Sequence, residues 1–212
     1  MDFMKKIFPP KEKTEPEKLT WQQALFLNLK DILYILAGFL LVYTLFFRMV
    51  VVDGTSMNQT LLDGDSLLLV SSTVYPNPIQ GDIVVSCRDA FRDGECVVKR
   101  VIATEGQKVD IDFKNRVVYV DDQPLEESYV YFSANDNGPM KHDLGMDFPL
   151  IVEKGCVFVM GDNRNNSLDS RYTEIGLVDC REILGKAIFL MLPGSNDGEV
   201  QPDYSRIGFI SR

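Results

Sequence analysis

Histidine is nearly absent from this chain of 212 residues: His142 is the only one. It lies between Lys141 and Asp143 in a polar stretch, where a solvated side chain is expected. The usual proton acceptor of a hydrolytic serine is therefore missing. The four cysteines, Cys87, Cys96, Cys156 and Cys180, contain no C-x-x-C pair, and with one histidine they make no zinc-ligand set. No metal and no organic cofactor is expected. Cys87 and Cys96 flank an expected turn, which admits two readings: a hairpin disulfide if the domain lies outside the cytosol, or four small reduced side chains in a core. Basic residues are scarce beyond the N-terminus, with 16 Lys and Arg against 26 Asp and Glu over residues 32–212. Phosphate binding needs a basic face, so no nucleic acid is expected as partner. Internal repeats are lacking, and there is only one long apolar run.

That run is Ile32 to Phe47. Before it, residues 1–20 are rich in Lys, Glu and Pro and read as a disordered tail. Thr20 suits an N-cap and Trp21 the headgroup region, so residues 21–48 are read as a membrane anchor helix with Lys30 and Arg48 snorkelling at its ends. The run is too long and begins too late for a removable signal, and no small-x-small cleavage pattern follows. Lysines at 5, 6, 11, 13, 18 and 30 place the tail in the cytosol, giving a single-pass protein of the cell membrane with residues 49–212 on the far side.

Residues 49–212 are β-textured, with short runs of Val, Ile, Leu and Tyr divided by Gly, Asp, Asn and Pro. Strands are expected at Met49–Asp53, Ser66–Ser71, Asp82–Arg88, Cys96–Thr104, Lys108–Asp112, Arg116–Val120, Val157–Met160 and Gly185–Leu192. Turns are expected at Phe113–Arg116 and Asp121–Pro124. The fold class is mainly β: an apolar helix followed by an antiparallel sheet domain, as two sheets or a partly closed barrel, with a polar loop inserted near residues 133–149.

Three stretches carry chemistry. The first is Asp53-Gly54-Thr55-Ser56-Met57, which puts Ser56 within about 26–29 Å of the apolar run at full extension. The second is Cys96-Val-Val-Lys99-Arg-Val-Ile-Ala103, where alternation puts Val97, Lys99 and Val101 on one strand face. A lysine buried there would lose its proton near neutral pH and replace the missing histidine as a base, whereas on an exposed face it would be an ordinary solvated lysine. The third is Met160-Gly-Asp-Asn-Arg-Asn-Asn-Ser-Leu-Asp-Ser-Arg171. As a cation loop it lacks the central glycine and closing glutamate, so a tight polar turn is the better reading.

Taken in order, these stretches resemble those of the bacterial type I signal peptidases, membrane-bound Ser-Lys endopeptidases. The match covers Gly54-Thr-Ser56-Met57 with Thr60-Leu61, Gly81-Asp-Ile-Val-Val85, Lys99-Arg-Val-Ile102 with Gly106, and Gly161 to Arg171. The resemblance implies Ser56 as nucleophile and Lys99 as base, Ser167 as the serine that hydrogen-bonds the lysine, Asp169 and Arg171 as the pair that fixes the loop, and Asp162 and Arg164 as structural support. It implies substrates that are preprotein signal peptides, with small residues one and three positions before the cut, bound as an extended strand. Val50, Val51, Val52 and Met57 are then the residues that would contact substrate. Members with a serine two residues before the nucleophile add its hydroxyl to the oxyanion hole; here that position is Gly54, so a side-chain donor is excluded there. Membrane lipid is the other expected partner, and a monomer is expected. Two rivals have weaker claims. A catalytically silent anchored β-domain would not need the serine, the lysine and the third stretch together, and the self-cleaving repressors, which also use a Ser-Lys dyad, carry a DNA-binding module where this chain has an apolar run.

Overall fold

The computed structural model describes residues 20–87, 96–141, 145–195 and 201–210. Residues 1–19 of the expected tail and His142 lie outside the described residues. Helix α1 spans Trp21–Phe46. Thr20 starts it with a capping box: the Gln23 backbone N–H donates to Thr20 Oγ1 at 3.4 Å, while the Thr20 N–H donates to Gln23 Oε1 at 3.0 Å. At ~1.5 Å per residue the helix is about 39 Å long, more than the ~30 Å of a hydrocarbon core. It is long and apolar enough to cross a membrane, and none of its residues is buried. It stops two residues before the expected end at Arg48, because Phe47 to Val51 are taken into a sheet.

The strands are β1 (Phe47–Val51), β2 (Ser66–Ser71), β3 (Ile83–Cys87), β4 (Cys96–Thr104), β5 (Lys108–Asp112), β6 (Val117–Val120), β7 (Gln123–Pro124), β8 (Leu150–Ile151), β9 (Cys156–Met160), β10 (Val178–Asp179), β11 (Ile183–Leu192) and β12 (Gly208–Phe209). The larger sheet runs β1-β2-β11-β3-β4-β9-β10, with β12 added to β11; the smaller runs β7-β6-β5-β8. Every pairing between these strands is antiparallel. The architecture is thus an apolar helix followed, among the described residues, by two antiparallel sheets. Four two-residue strands, β7, β8, β10 and β12, were not expected, since two residues show no alternation. The expected turn at Asp121–Pro124 is tighter than supposed. Asp121 and Asp122 take positive φ, which frees Gln123 and Pro124 to pair with β6.

Alternation along the strands sorts the core. Ile83 and Val85 of β3 join Val52, Met57, Leu61, Leu67 and Leu69 on one side, whereas Val84 joins Val101, Val157 and Ile175 on the other. A third cluster seals the two sheets together, with Ile102, Phe158 and Met160 against Val109, Ile111 and Val118. The polar stretch near residues 133–149 is fastened to this frame. Met140 is buried, Asn165 accepts from the Lys141 N–H at 2.8 Å, and Arg116 Nε donates to the Gly138 carbonyl at 2.8 Å.

Cys87 and Cys96 face each other across the β3–β4 ladder and form a disulfide; Cys156 and Cys180 are free. Closing a loop of this length removes about 2–3 kcal/mol of unfolded-state entropy. Replacing both with serine should lower the unfolding free energy by about that amount in urea titrations of the detergent-solubilised protein, and an unchanged midpoint would contradict it.

Candidate active site

The chain between β1 and β2 forms a closed loop. Its ends meet where the Val52 N–H donates to the Asp65 carbonyl at 2.8 Å and the Gly64 N–H returns to the Val52 carbonyl at 2.9 Å. Gly54 sits at φ +86°, a region that glycine enters without strain. Its N–H donates to Asp63 Oδ1 at 2.7 Å, so that amide is already engaged. One helical turn follows, closed by the Leu61 N–H on the Met57 carbonyl at 2.9 Å. Met57, expected to contact substrate, is instead fully buried beside Leu61 in the core: a turn that leaves Ser56 half-buried at the groove points the next side chain inward.

Lys99 comes from β4. Its alternation partner Val101 is buried, and Lys99 itself is 4% exposed. Nζ donates to Ser56 Oγ at 2.7 Å and to the Val98 carbonyl at 2.9 Å. Burial brings the ammonium down to about 8, against the opposing pull of Asp169 and Asp162; the Arg171 charge adds to the lowering. An amine held this close to neutrality beside a hydroxyl can accept its proton.

The third stretch folds around these two residues as a set of buried ion pairs. Asp162 lies fully buried and takes both arms of Arg100, at 2.9 and 2.7 Å, and Thr60 Oγ1 donates to it at 2.5 Å. Asp169 binds Arg171 Nε at 2.8 Å and Nη2 at 2.9 Å and receives the Gly161 N–H at 3.0 Å. Burial works against its ionised form, but the Arg171 guanidinium outweighs this and holds the carboxyl below its ordinary range. Arg164 pairs with Glu127. Asn163 ties the stretch to the loop: its N–H donates to the Ser56 carbonyl at 3.0 Å and its Nδ2 to the Thr55 carbonyl at 3.1 Å.

Ser167 departs from expectation. Its Oγ is buried, and its polar neighbour is the Asp169 carboxylate, which it helps hold ionised; the hydrogen bonds of Lys99 go instead to Ser56 and Val98. Ser167 also packs against Gly161. A Cβ there would lie 2.2 Å from Ser167 Oγ and 2.5 Å from the Ser56 carbonyl, so only glycine lets these segments meet.

Beside Ser56 and Lys99 opens a groove of about 490 Å³. Its walls include Val50, Val51, Val52, Val98, Leu168 and Ile175. The three valines therefore border the groove, and β1 is the edge strand of the larger sheet. A cavity of about 670 Å³ elsewhere, lined by Asp110, Phe113 and Phe148 among others, touches neither Ser56 nor Lys99.

The model of the family described as signal peptidase, peptidase S26, matches residues 26–192. The chain belongs to the signal peptidase family. It is 36% identical over 166 residues to a signal peptidase I of Bacillus amyloliquefaciens, covering 77% of this chain and 83% of the relative. To a probable signal peptidase I-1 of Synechocystis it is 36% identical over 156 residues, covering 70% and 73%. A solved signal peptidase I from Enterococcus faecalis V583 is 31% identical, with a TM-score of 0.40 covering 51% of this chain and 95% of that one. The chain is thus a hydrolase of the peptidase S26 type.

Several residues that hold this signal peptidase-family site were not singled out from sequence. Arg100 follows Lys99 directly, and alternation alone sends it to the opposite side, where it reaches Asp162 and stacks 3.8 Å over the Tyr129 ring. Asp65 accepts from Arg206 at 2.9 and 2.6 Å and from the Gly194 N–H at 2.7 Å, so the C-terminal segment clamps the base of the Ser56 loop. Glu127 and Arg206 stand in no motif, and only the fold reveals their partners.

The folded pKa of Lys99 lies below that of an unfolded lysine, so below about pH 8 both states hold the proton and the fold bears the cost of a buried ammonium, about 3 kcal/mol. Between about pH 8 and 10.5 the unfolded state binds more protons, and stability rises with pH. Lys99→Met should therefore raise the unfolding free energy at pH 7 by about 2–3 kcal/mol, a gain that fades as pH nears 10.5. Denaturant titrations at pH 7 and 10 check both the gain and its pH dependence.

Proposed function

We propose that the chain is a membrane-anchored serine endopeptidase that removes N-terminal signal peptides from exported preproteins, with Ser56 as nucleophile and Lys99 as general base. The observation that carries this reading is the 2.7 Å hydrogen bond between Lys99 Nζ and Ser56 Oγ, made by a lysine whose burial brings it to about 8. Neutral Lys99 takes the Ser56 proton as Oγ attacks the scissile carbonyl, and the resulting ammonium protonates the departing amine. The same amine then accepts a proton from the water that releases the acyl group. Lys99 is held in register by Ser56, Val98 and the fields of Asp169 and Asp162, rather than by Ser167.

The Ser56 N–H has no protein acceptor among the described residues and is the donor available to the oxyanion. Gly54 offers neither a side chain nor a spare amide, since Asp63 takes its N–H. The segment before the cut lies along the free edge of β1 by strand addition, and the valines, Leu168 and Ile175 narrow the groove toward small residues at −1 and −3. The anchor is α1, with the tail in the cytosol and the β domain outside it. The Cys87–Cys96 disulfide supports that side, because disulfides persist in oxidising compartments.

Cleavage of a preprotein bearing Ala-x-Ala before its cut, in detergent or liposomes, tests the assignment. Ser56→Ala and Lys99→Ala should each lower the rate by about 10³-fold or more, by analogy with other activated-serine sites. Near wild-type cleavage by either variant would remove its residue from the role. In the wild type the rate should rise about tenfold per pH unit below about 8, as the neutral fraction of Lys99 grows, and level off above it. A profile with its midpoint near 6 would contradict a lysine base.

A further inference from the structure

The turn that carries Ser56 borders two depressions of opposite chemistry. The groove holding Ser56 and Lys99 is walled mainly by aliphatic side chains. The second, of about 470 Å³, is lined by hydroxyl and amide side chains, among them Thr55, Asn58, Tyr131, Asn163 and Asn166, together with the carboxylate of Asp136. Thr55 belongs to this second cleft and Ser56 to the first, so adjacent residues of one turn open onto both. A peptide whose scissile carbonyl sits at Ser56 Oγ must continue beyond the cut, and the apolar groove is occupied by what precedes it.

We propose that this polar cleft binds the first residues of the mature protein, on the leaving-group side of the scissile bond. The inference rests on the endopeptidase reading above. Amide side chains offer donors and acceptors together, so they bind the main chain of an extended peptide whatever its side chains. That suits a segment which, unlike the stretch before the cut, carries no common sequence. The walls are also the supports of the nucleophile: Asn163 holds the Ser56 and Thr55 carbonyls, and Asn166 Nδ2 donates to Thr55 Oγ1 at 2.8 Å. Tyr131 extends the same frame, its N–H donating to the Asp162 carbonyl at 2.8 Å. An occupant therefore presses on the groups that aim Ser56, and its binding is expressed in turnover as well as affinity. Asp136 gives the cleft a negative charge, which favours a basic over an acidic residue soon after the cut.

The test uses the full chain in neutral detergent with peptides that share one Ala-x-Ala segment. In the first series the peptide ends either one or five residues after the cut. The longer should be cleaved with kcat/KM about tenfold higher, chiefly through kcat, and Tyr131→Ala should shrink that ratio toward one. In the second series Lys or Glu stands at the second and third mature positions. The wild type should favour Lys by about 2–5-fold, and Asp136→Lys, at a half-exposed position that tolerates the change, should reverse the order. Equal rates for the two lengths, or a Lys/Glu preference unmoved by Asp136→Lys, would overturn the cleft assignment while leaving the endopeptidase reading in place. Failure of the wild type to cut any of the peptides would overturn both.

Discussion

Everything near Ser56 is arranged around the cost of hiding one amine from water. Lys99 is 4% exposed, and an ammonium there would lose most of its hydration. The fold surrounds it with charge that is already paired: Arg100 with Asp162, Arg171 with Asp169, and Arg164 with Glu127. Each arginine cancels the field of the carboxylate beside it. Unpaired, Asp162 and Asp169 would stabilise the ammonium and carry Lys99 back toward the range of a free lysine; unopposed, Arg171 would push it further down. Such pairs add little net stability, because desolvation consumes most of their attraction. Their contribution is to offset one another's fields in part, so that burial is the largest influence on the protonation of the lysine.

The same pairs position the hydroxyl. Asp162 is shared between Arg100, the neighbour of Lys99, and Thr60, four residues beyond Ser56. The carboxylate that balances charge near the amine thus also holds the loop that carries the serine. On its far side the loop is held by Asp65, which gathers Arg206, the Gly194 N–H and the Leu62 N–H. The close approach is completed at Gly161, where no side chain fits between the Ser56 carbonyl and Ser167. A hydrogen bond of 2.7 Å between segments 43 residues apart is therefore over-determined from three directions.

Strands with clear alternation were legible in the chain: β2, β4 and β5 have the expected ends to the residue, and Lys99 lies inward because Val101 does. What alternation cannot show is a strand of two residues or a loop that closes through side chains. Hence β7, β8, β10 and β12 were unforeseen, as was the Arg206–Asp65 clamp, whose partners lie 141 residues apart. Met57 illustrates a different limit. Its motif neighbours border the cleft, but a single helical turn reverses exposure from one residue to the next, and a residue string carries no sign of that reversal. Ser167 shows a related limit: a motif puts a hydroxyl in the stretch around Asp169, while its direction depends on packing against Gly161.

Gly54 connects these points. Its positive φ lets the chain turn between β1 and the helical turn, and its amide is spent on Asp63, within the loop whose base Asp65 closes. A serine at this position could add a hydroxyl to the oxyanion hole, but an L-residue at φ +86° is strained by about 1–2 kcal/mol. The loop geometry that clamps Ser56 against Lys99 and the lack of a side-chain oxyanion donor thus share one cause. On the proposed mechanism the developing oxyanion then relies on the Ser56 amide, whose peptide plane is shared with the Thr55 carbonyl that Asn163 Nδ2 holds at 3.1 Å. Asn163 thus holds both peptide carbonyls that flank the Ser56 side chain, as Lys99 holds its hydroxyl.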